Sequence, residues 1–308
     1  MPELNIKKIK TLKRRAFFSI LLGTIMIAAA CFGFYIGFKQ VKSPTLIVLT
    51  FHGITNKPIK PWETSWDKLN SIITRLENHD YKFITPQNFE EMLARKSFSG
   101  RKCLITFDDG LKTSAEAIKR LYKEKQISSV FFIITDFIGK NTYIDATDLK
   151  DLQKNFNCQI GLHGKRHYEV TKIIAEGDNL LEELETAKAE LATLSGQPIT
   201  WYSYPYGEYN ASATAVIASS SLRYAFTIDG YNVDPDVNTR LIPRIMYLRG
   251  AEAAQAPSPL DWAPPDLAQK GSLTITLSCL VGFISLSWIV RAFFLLKSIR
   301  KTLLANKG

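Results

Sequence analysis

Two long apolar runs frame the chain. Residues 16–38 (AFFSILLGTIMIAAACFGFYIGF) and 271–290 (GSLTITLSCLVGFISLSWIV) contain no charged side chain. At about 1.5 Å of rise per residue, each is long enough as a helix to cross a hydrocarbon layer of about 30 Å. Core helices of soluble proteins keep a polar face; these runs have none, so two transmembrane helices are expected. Between them the pattern changes. TLIVLTF (45–51) is a continuous apolar strand, and apolar positions 66, 69, 72, 73 and 76 then repeat with a helical period over 66–78. KCLITF (102–107) reads as a strand followed by a helix over 114–125, and SSVFFII (128–134) as a strand followed by a short helix over 148–155. QIGLH (159–163) precedes an amphipathic helix over 180–194, and TWYSYP (200–205), YAFTI (224–228) and RLIPRIMYL (240–248) complete the strands. Strands alternating with helices predict parallel βα units. About seven such units in about 210 residues suit an α/β barrel better than an open sheet.

Charge sharpens this division. The net charge of +10 resides in the two ends: residues 1–15 carry six basic side chains and one acid, and 291–308 carry five basic side chains and no acid. The remainder is neutral, so the bulk charge gives no support to nucleic-acid binding. Basic flanks stay in the cytoplasm. The expected plan is therefore a basic cytoplasmic tail (1–15), a spanning helix (16–38), an outer domain (44–250), a Pro-rich tether (251–270), a second spanning helix (271–290) and a second cytoplasmic tail (291–308). Membrane lipid is thus one partner, with the domain on the periplasmic or extracellular side of a bacterial cytoplasmic membrane. A competing reading has Ala28-Ala29-Ala30 as a processing site before a free or lipid-modified Cys31; against it, apolar residues continue beyond the cysteine. Cys103 and Cys158 lie in strands and read as buried thiols rather than a disulfide framework.

The chemistry concentrates at strand ends. His163 and His167 are four apart in GLHGKRH, a spacing that lets both rings face one point if the turn is helical. Asp108-Asp109-Gly110 follows KCLITF directly, which puts two carboxylates at the carboxyl edge of the sheet, where α/β sites form. Adjacent acids at a turn are also commonly a solvated loop or a helix cap. Two imidazoles and a carboxylate form a catalytic zinc ligand set that leaves a position open for water.

TFDDG (106–110), H-x-x-x-H (163–167) and YPYG (204–207), in this order, resemble the motifs of the polysaccharide deacetylase family, carbohydrate esterase family 4. SSVFFIITDFIG (128–139) and LKDLQKNFNCQIGLHG (149–164) extend the resemblance over residues 44–248, and FHGI (51–54) with YPYG resembles the branch acting on poly-β-1,6-N-acetylglucosamine. The resemblance implies a distorted (β/α)7 barrel and hydrolysis of the acetamide of an acetylated amino-sugar polysaccharide. It further implies one divalent metal ion, zinc above all, on Asp109, His163 and His167. Asp108 matches the general base, and Pro205 and Tyr206 match the groove motif whose Tyr206 N–H serves the oxyanion. Two departures follow. The third motif opens with Ser203 where most members have Arg, so the orientation of Asp108 must come from elsewhere, with Arg244 as candidate against a purely structural arginine. No His follows His167; His79 reads as solvated, which leaves His52 as candidate acid against a packed core histidine. Gly164, between the two histidines, replaces the common Ser or Thr. Alternative readings are a peptidoglycan or chitooligosaccharide deacetylase, or a catalytically silent glycan-binding component of an exopolysaccharide export complex.

Overall fold

A computed structural model describes residues 2–41, 45–248 and 276–300, the last without 282, 283, 288, 291, 295, 298 and 299. The tether expected at 251–270 and the first residues of the second apolar segment lie outside the described residues, as does most of 291–308. The chain divides into two compact units, Met1–Ser43 with Pro264–Gly308, and Pro44–Ala263. In the first, helix α1 (Pro2–Val41) carries the basic and the apolar residues of the N-terminus on one continuous element. Two helical stretches, Lys10–Tyr35 and Thr276–Phe294, are long and apolar enough to cross a membrane by length and composition.

The second unit is built on a curled parallel sheet. Its strands are β1 (Thr45–Phe51), β2 (Tyr81–Phe83), β3 (Arg101–Phe107), β4 (Ser129–Ile133), β5 (Cys158–Leu162), β6 (Trp201–Ser203), β7 (Tyr224–Phe226) and β8 (Ile245–Met246). The order is β7-β6-β5-β4-β3-β1-β8, all neighbours parallel, with β2 added beside the start of β3. The chain entering β8 also bridges β7, through Phe226 and Ile242. The fold is thus an α/β half-barrel. The strand expected over 240–248 shrinks to two residues, because this segment runs from one sheet edge to the other and pairs only briefly with each.

Side chains alternate across the sheet, and the two faces form two cores. Leu46, Val48, Leu104, Val130, Phe132, Trp201 and Phe226 pack inside the curl. Ile47, Leu49, Cys103, Ile105, Phe131 and Ile160 face outward, against Leu69, Ile72 and Ile73 of α2 (Trp66–Asn78), Ile118 and Leu121 of α4 (Lys112–Lys125), and Leu149 and Leu152 of α5 (Ala146–Phe156). Cys103 and Cys158 are buried free thiols, and burial pushes the Cys158 thiol up to about 12.

Helix α3 (Pro86–Ala94) is an element that apolar periodicity alone passed over. Thr85 caps it, Pro86 occupies its first position, and Phe89 and Leu93 enter the inner core. The Phe89 ring lies 5.7 Å from Trp201 and 5.8 Å from Phe226. Trp201 opens β6, so α3 closes the curl at the end where strands begin. The other end, where β1, β3 and β5 stop, stays open to chemistry.

Candidate active site

Alternation decides which strand-end residues meet. Leu46 and Val48 point inward on β1, so Thr50 and His52 continue that face. Leu104 points inward on β3, so Thr106 and Asp108 follow. The β1–β3 register pairs Phe51 with Phe107, which sets His52 beside Asp108. On β5 the inward position is Gly161, where an added Cβ would lie 2.5 Å from the Phe132 ring, and His163 stands two residues further on.

Asp108 is buried, and Arg244, fully buried, grips it with Nη1 at 2.7 Å from Oδ1 and Nη2 at 2.8 Å from Oδ2. Nη2 also donates to the Ser203 hydroxyl at 2.6 Å, and that hydroxyl donates to Asp108 Oδ2 at 3.3 Å. The remaining guanidinium donors reach Thr50 Oγ1 at 3.1 Å, Thr106 Oγ1 at 3.2 Å and the Thr227 carbonyl at 3.1 Å. Burial alone would raise the Asp108 carboxyl; the charge of Arg244, with His163, outweighs it and holds the group well below the usual carboxylate range. The Arg244 network draws on β1, β3, β6 and the segment after β7.

Beside it, Asp109 Oδ1 stands 3.6 Å from Nε2 of His163 and 3.6 Å from Nε2 of His167. His163 Nδ1 lies 2.9 Å from the Ser203 carbonyl. A carbonyl only accepts, so Nδ1 carries the proton and Nε2 presents its lone pair. Burial and the neighbouring His163 push His167 down to about 4, which keeps its ring neutral near pH 7. The turn joining the two histidines is not helical: Gly164 (φ 78°) and His167 (φ 56°) are left-handed, and these bends bring the ring centroids to 5.0 Å. A Cβ on Gly164 would lie 3.2 Å from Pro205, and its backbone is strained for any L side chain, which accounts for glycine there.

These residues fit a metal ion. Ligand atoms of Asp109, His163 and His167 all lie within 4.8 Å of one another. Bonds of about 2.0–2.2 Å in a tetrahedral site place ligand atoms roughly 3.3–3.6 Å apart. Asp109 Oδ1 is buried with no hydrogen-bond partner among the described residues, an arrangement that costs about 1–3 kcal/mol unless something accepts its lone pairs. Backbone strain collects here as well. Among the described residues seven non-glycine positions have positive φ; Asp80, Lys96, Gln126 and Asn157 sit at helix C-termini, and the other three are Asp109, His167 and Tyr206.

Tyr206 is exposed, and its ring stacks on His167 at 4.4 Å between centroids. His52 is half-buried, its Nδ1 buried without a partner among the described residues, and it stands beside Asp108 at the end of β1. His79 is the exposed C-cap of α2, remote from this cluster in the fold. The structure therefore brings together Asp108, Asp109, His163, His167, Tyr206 and Arg244, with His52 at their edge. Sequence reading missed the contribution of the Ser203 hydroxyl and of Thr50 and Thr106. Their signal was a polar residue on the inward face, two places before His52 and before Asp108.

Comparison with known proteins follows the same lines. Residues 95–225 match the family model described as polysaccharide deacetylase. The chain is 27% identical over 203 residues to the poly-β-1,6-N-acetyl-D-glucosamine N-deacetylase of Staphylococcus aureus strain MRSA252, covering 62% of this chain and 70% of that protein. In fold it is similar to a polysaccharide deacetylase from Bacillus cereus, with a TM-score of 0.60 at 18% identity over 71% of this chain and 68% of that one. It is also similar to IcaB from Ammonifex degensii, with a TM-score of 0.58 at 19% identity over 76% of this chain and 98% of that one.

Proposed function

We propose that this chain, which carries a polysaccharide deacetylase domain, is a metal-dependent N-deacetylase of an acetylated amino-sugar polymer resembling poly-β-1,6-N-acetylglucosamine. The observation that carries the reading is the pairing of an Arg-held carboxylate, Asp108, with a second, unpartnered carboxylate oxygen facing two imidazoles. The name of the staphylococcal relative supports the substrate class.

Asp109, His163 and His167 would hold a divalent ion, and this two-imidazole, one-carboxylate set suits zinc. When bound, such an ion supplies Lewis-acid polarisation of a carbonyl and lowers the pKa of water. Asp108, held ionised by Arg244, is a weak base placed beside this cluster, where it would take the proton of the attacking water. Arg244 and Ser203 aim its carboxylate. The Tyr206 backbone N–H is the donor assigned to the acetyl oxygen as charge builds on it. A C–O bond forms first, as the water oxygen adds to the acetyl carbon and Asp108 takes its proton; the amide C–N bond then breaks as the carbonyl re-forms, and the leaving nitrogen needs a proton. His52, on the adjacent strand end, is assigned to deliver it. Acetate and a free sugar amine result.

The same reading places the domain outside a bacterial cytoplasmic membrane, anchored by two spanning helices with both termini inside. Incubating the full-length protein with a panel of acetylated glycans and measuring released acetate tests the function. The expected outcome is release from the β-1,6-linked polymer, lost in Asp108→Asn and in the paired change His163→Ala with His167→Ala, the latter also losing stoichiometric metal. Release from peptidoglycan or chitooligosaccharide alone would reassign the substrate. Glycan binding without acetate release by the metal-loaded protein would favour a silent binding component.

A further inference from the structure

Within the terminal unit, the buried positions among the described residues belong to small residues. On α1 they include Ala16, Ser19 and Gly23; on the helix Thr276–Phe294 they include Ser278, Ser285 and Ala292. The first set is spaced three and four apart and the second seven apart, so each marks one stripe along its helix. Most bulky side chains point the other way: Phe17, Leu21, Ile25 and Phe32, with Leu280 and Ile284, are exposed, while Ile289 packs against Gly23. A soluble helix pair shows the reverse distribution.

The stripes meet, and they run antiparallel. A Cβ on Gly23 would lie 2.8 Å from the Ile289 side chain and 3.3 Å from the Ser285 carbonyl, while one on Gly33 would collide with the Ser278 hydroxyl. Ser285 donates its hydroxyl to the Val281 carbonyl at 2.6 Å, and Thr24 donates to the Leu21 carbonyl at 2.8 Å. Such hydroxyls bond within their own helix and ask nothing of water. In lipid there is no hydrophobic force between helices, and close backbone approach over small residues provides the attraction instead.

We infer that the two helices form one membrane-embedded hairpin, sealed along this small-residue seam and covered outside by lipid acyl chains. We infer also that it is retained rather than cleaved after Ala30. The inference rests on the spanning reading given above and goes beyond it in naming the partner surface. The antiparallel arrangement puts the cationic ends together: Lys10, Lys13, Arg14 and Arg15 of one helix and Lys297 and Arg300 of the other are exposed at the same end of the pair. An N-terminal segment destined for removal has no need of a partner helix from the opposite end of the chain.

The test uses the full-length chain in native membranes, with Cys31→Ser and Cys279→Ser as background. A Cβ on Gly33 lies 3.6 Å from the Ser278 Cβ, within the disulfide range of about 3.5–4.5 Å. Gly33→Cys with Ser278→Cys should therefore close an intramolecular disulfide under mild oxidation in most of the chain, seen by intact mass and gel mobility. Phe32→Cys with Leu277→Cys, both on exposed faces, should cross-link far less. No cross-link in the first pair, or equal cross-linking in both, overturns the hairpin. Alkaline carbonate extraction is read in parallel. Release of the chain overturns the spanning reading itself, whereas retention without a cross-link overturns only the hairpin. An intact mass lacking residues 1–30 overturns retention.

Discussion

Arg244 shows how much one side chain can decide. Its guanidinium meets a carboxylate, three hydroxyls and a carbonyl in a fully buried position. Removing one partner of such a pair leaves the other charge buried and alone, which costs about 3–5 kcal/mol. Arg244→Ala should lower the unfolding free energy by roughly that amount, measured by chemical denaturation. Adding Asp108→Asn should recover part of the loss, and an additive result would show that the two groups act independently. Arg244→Lys keeps the charge but not the fork; it should remain folded while kcat falls more than KM changes. His52 is a separate question, since the role proposed for it is proton delivery rather than packing. His52→Ala should keep metal and glycan binding and lose at least about a hundredfold in turnover. A near-normal rate with an unchanged pH profile would mark it as a packing residue and send the search for the acid elsewhere.

At the scale of elements, the site depends on strands being close enough for their ends to converge. Gly161 on β5 lets the Phe132 ring of β4 lie against its backbone, with the Trp201 carbonyl of β6 3.1 Å from where a Cβ would be. Gly161→Ala should therefore force these strands apart and cost about 1–3 kcal/mol, the usual range for overpacking. Phe132→Leu in the same chain should relieve part of it. The measurement is a thermal or denaturant unfolding curve, and full stability in the single variant would show that the ring moves aside freely. Helix α3 acts at the opposite end. It fills the curl with Phe89 and Leu93, so the inner core is closed below and the polar cluster is confined to the strand ends. Its capping pattern, Thr85-Pro86 with Asn88 three places after the cap, was present in the sequence and carried the start signal that hydrophobic spacing lacked.

For the whole molecule, the division into a neutral folded domain and two basic, apolar ends sets the expected topology. Reporter fusions at residue 308 and near residue 265 should report opposite compartments, the first cytoplasmic. A C-terminus reporting outside would sink the two-span arrangement. Flanking charge argues for which side the ends take, and antiparallel pairing argues only that both ends share a side. One concerns insertion and the other packing.

What the sequence determined by itself was local. The positions of β1, α2, β3 and α4 follow from apolar runs and periods, and Asp108, Asp109, His163 and His167 stand out because they follow such runs directly. Of the short strands, β2, with three residues, escaped it, and β8 was read as a strand over 240–248 although only Ile245–Met246 pair. Tertiary structure alone decided that Arg244 reaches Asp108, 136 residues away in the chain. It decided that Ser203 sits between them and that a non-helical turn, bent at Gly164 and His167, still brings two imidazoles to one carboxylate oxygen. The physical reason is common to these cases. Alternation along a strand says which face a residue takes, but which strand lies opposite is set by how far the sheet curls, and that is a property of both cores packed together.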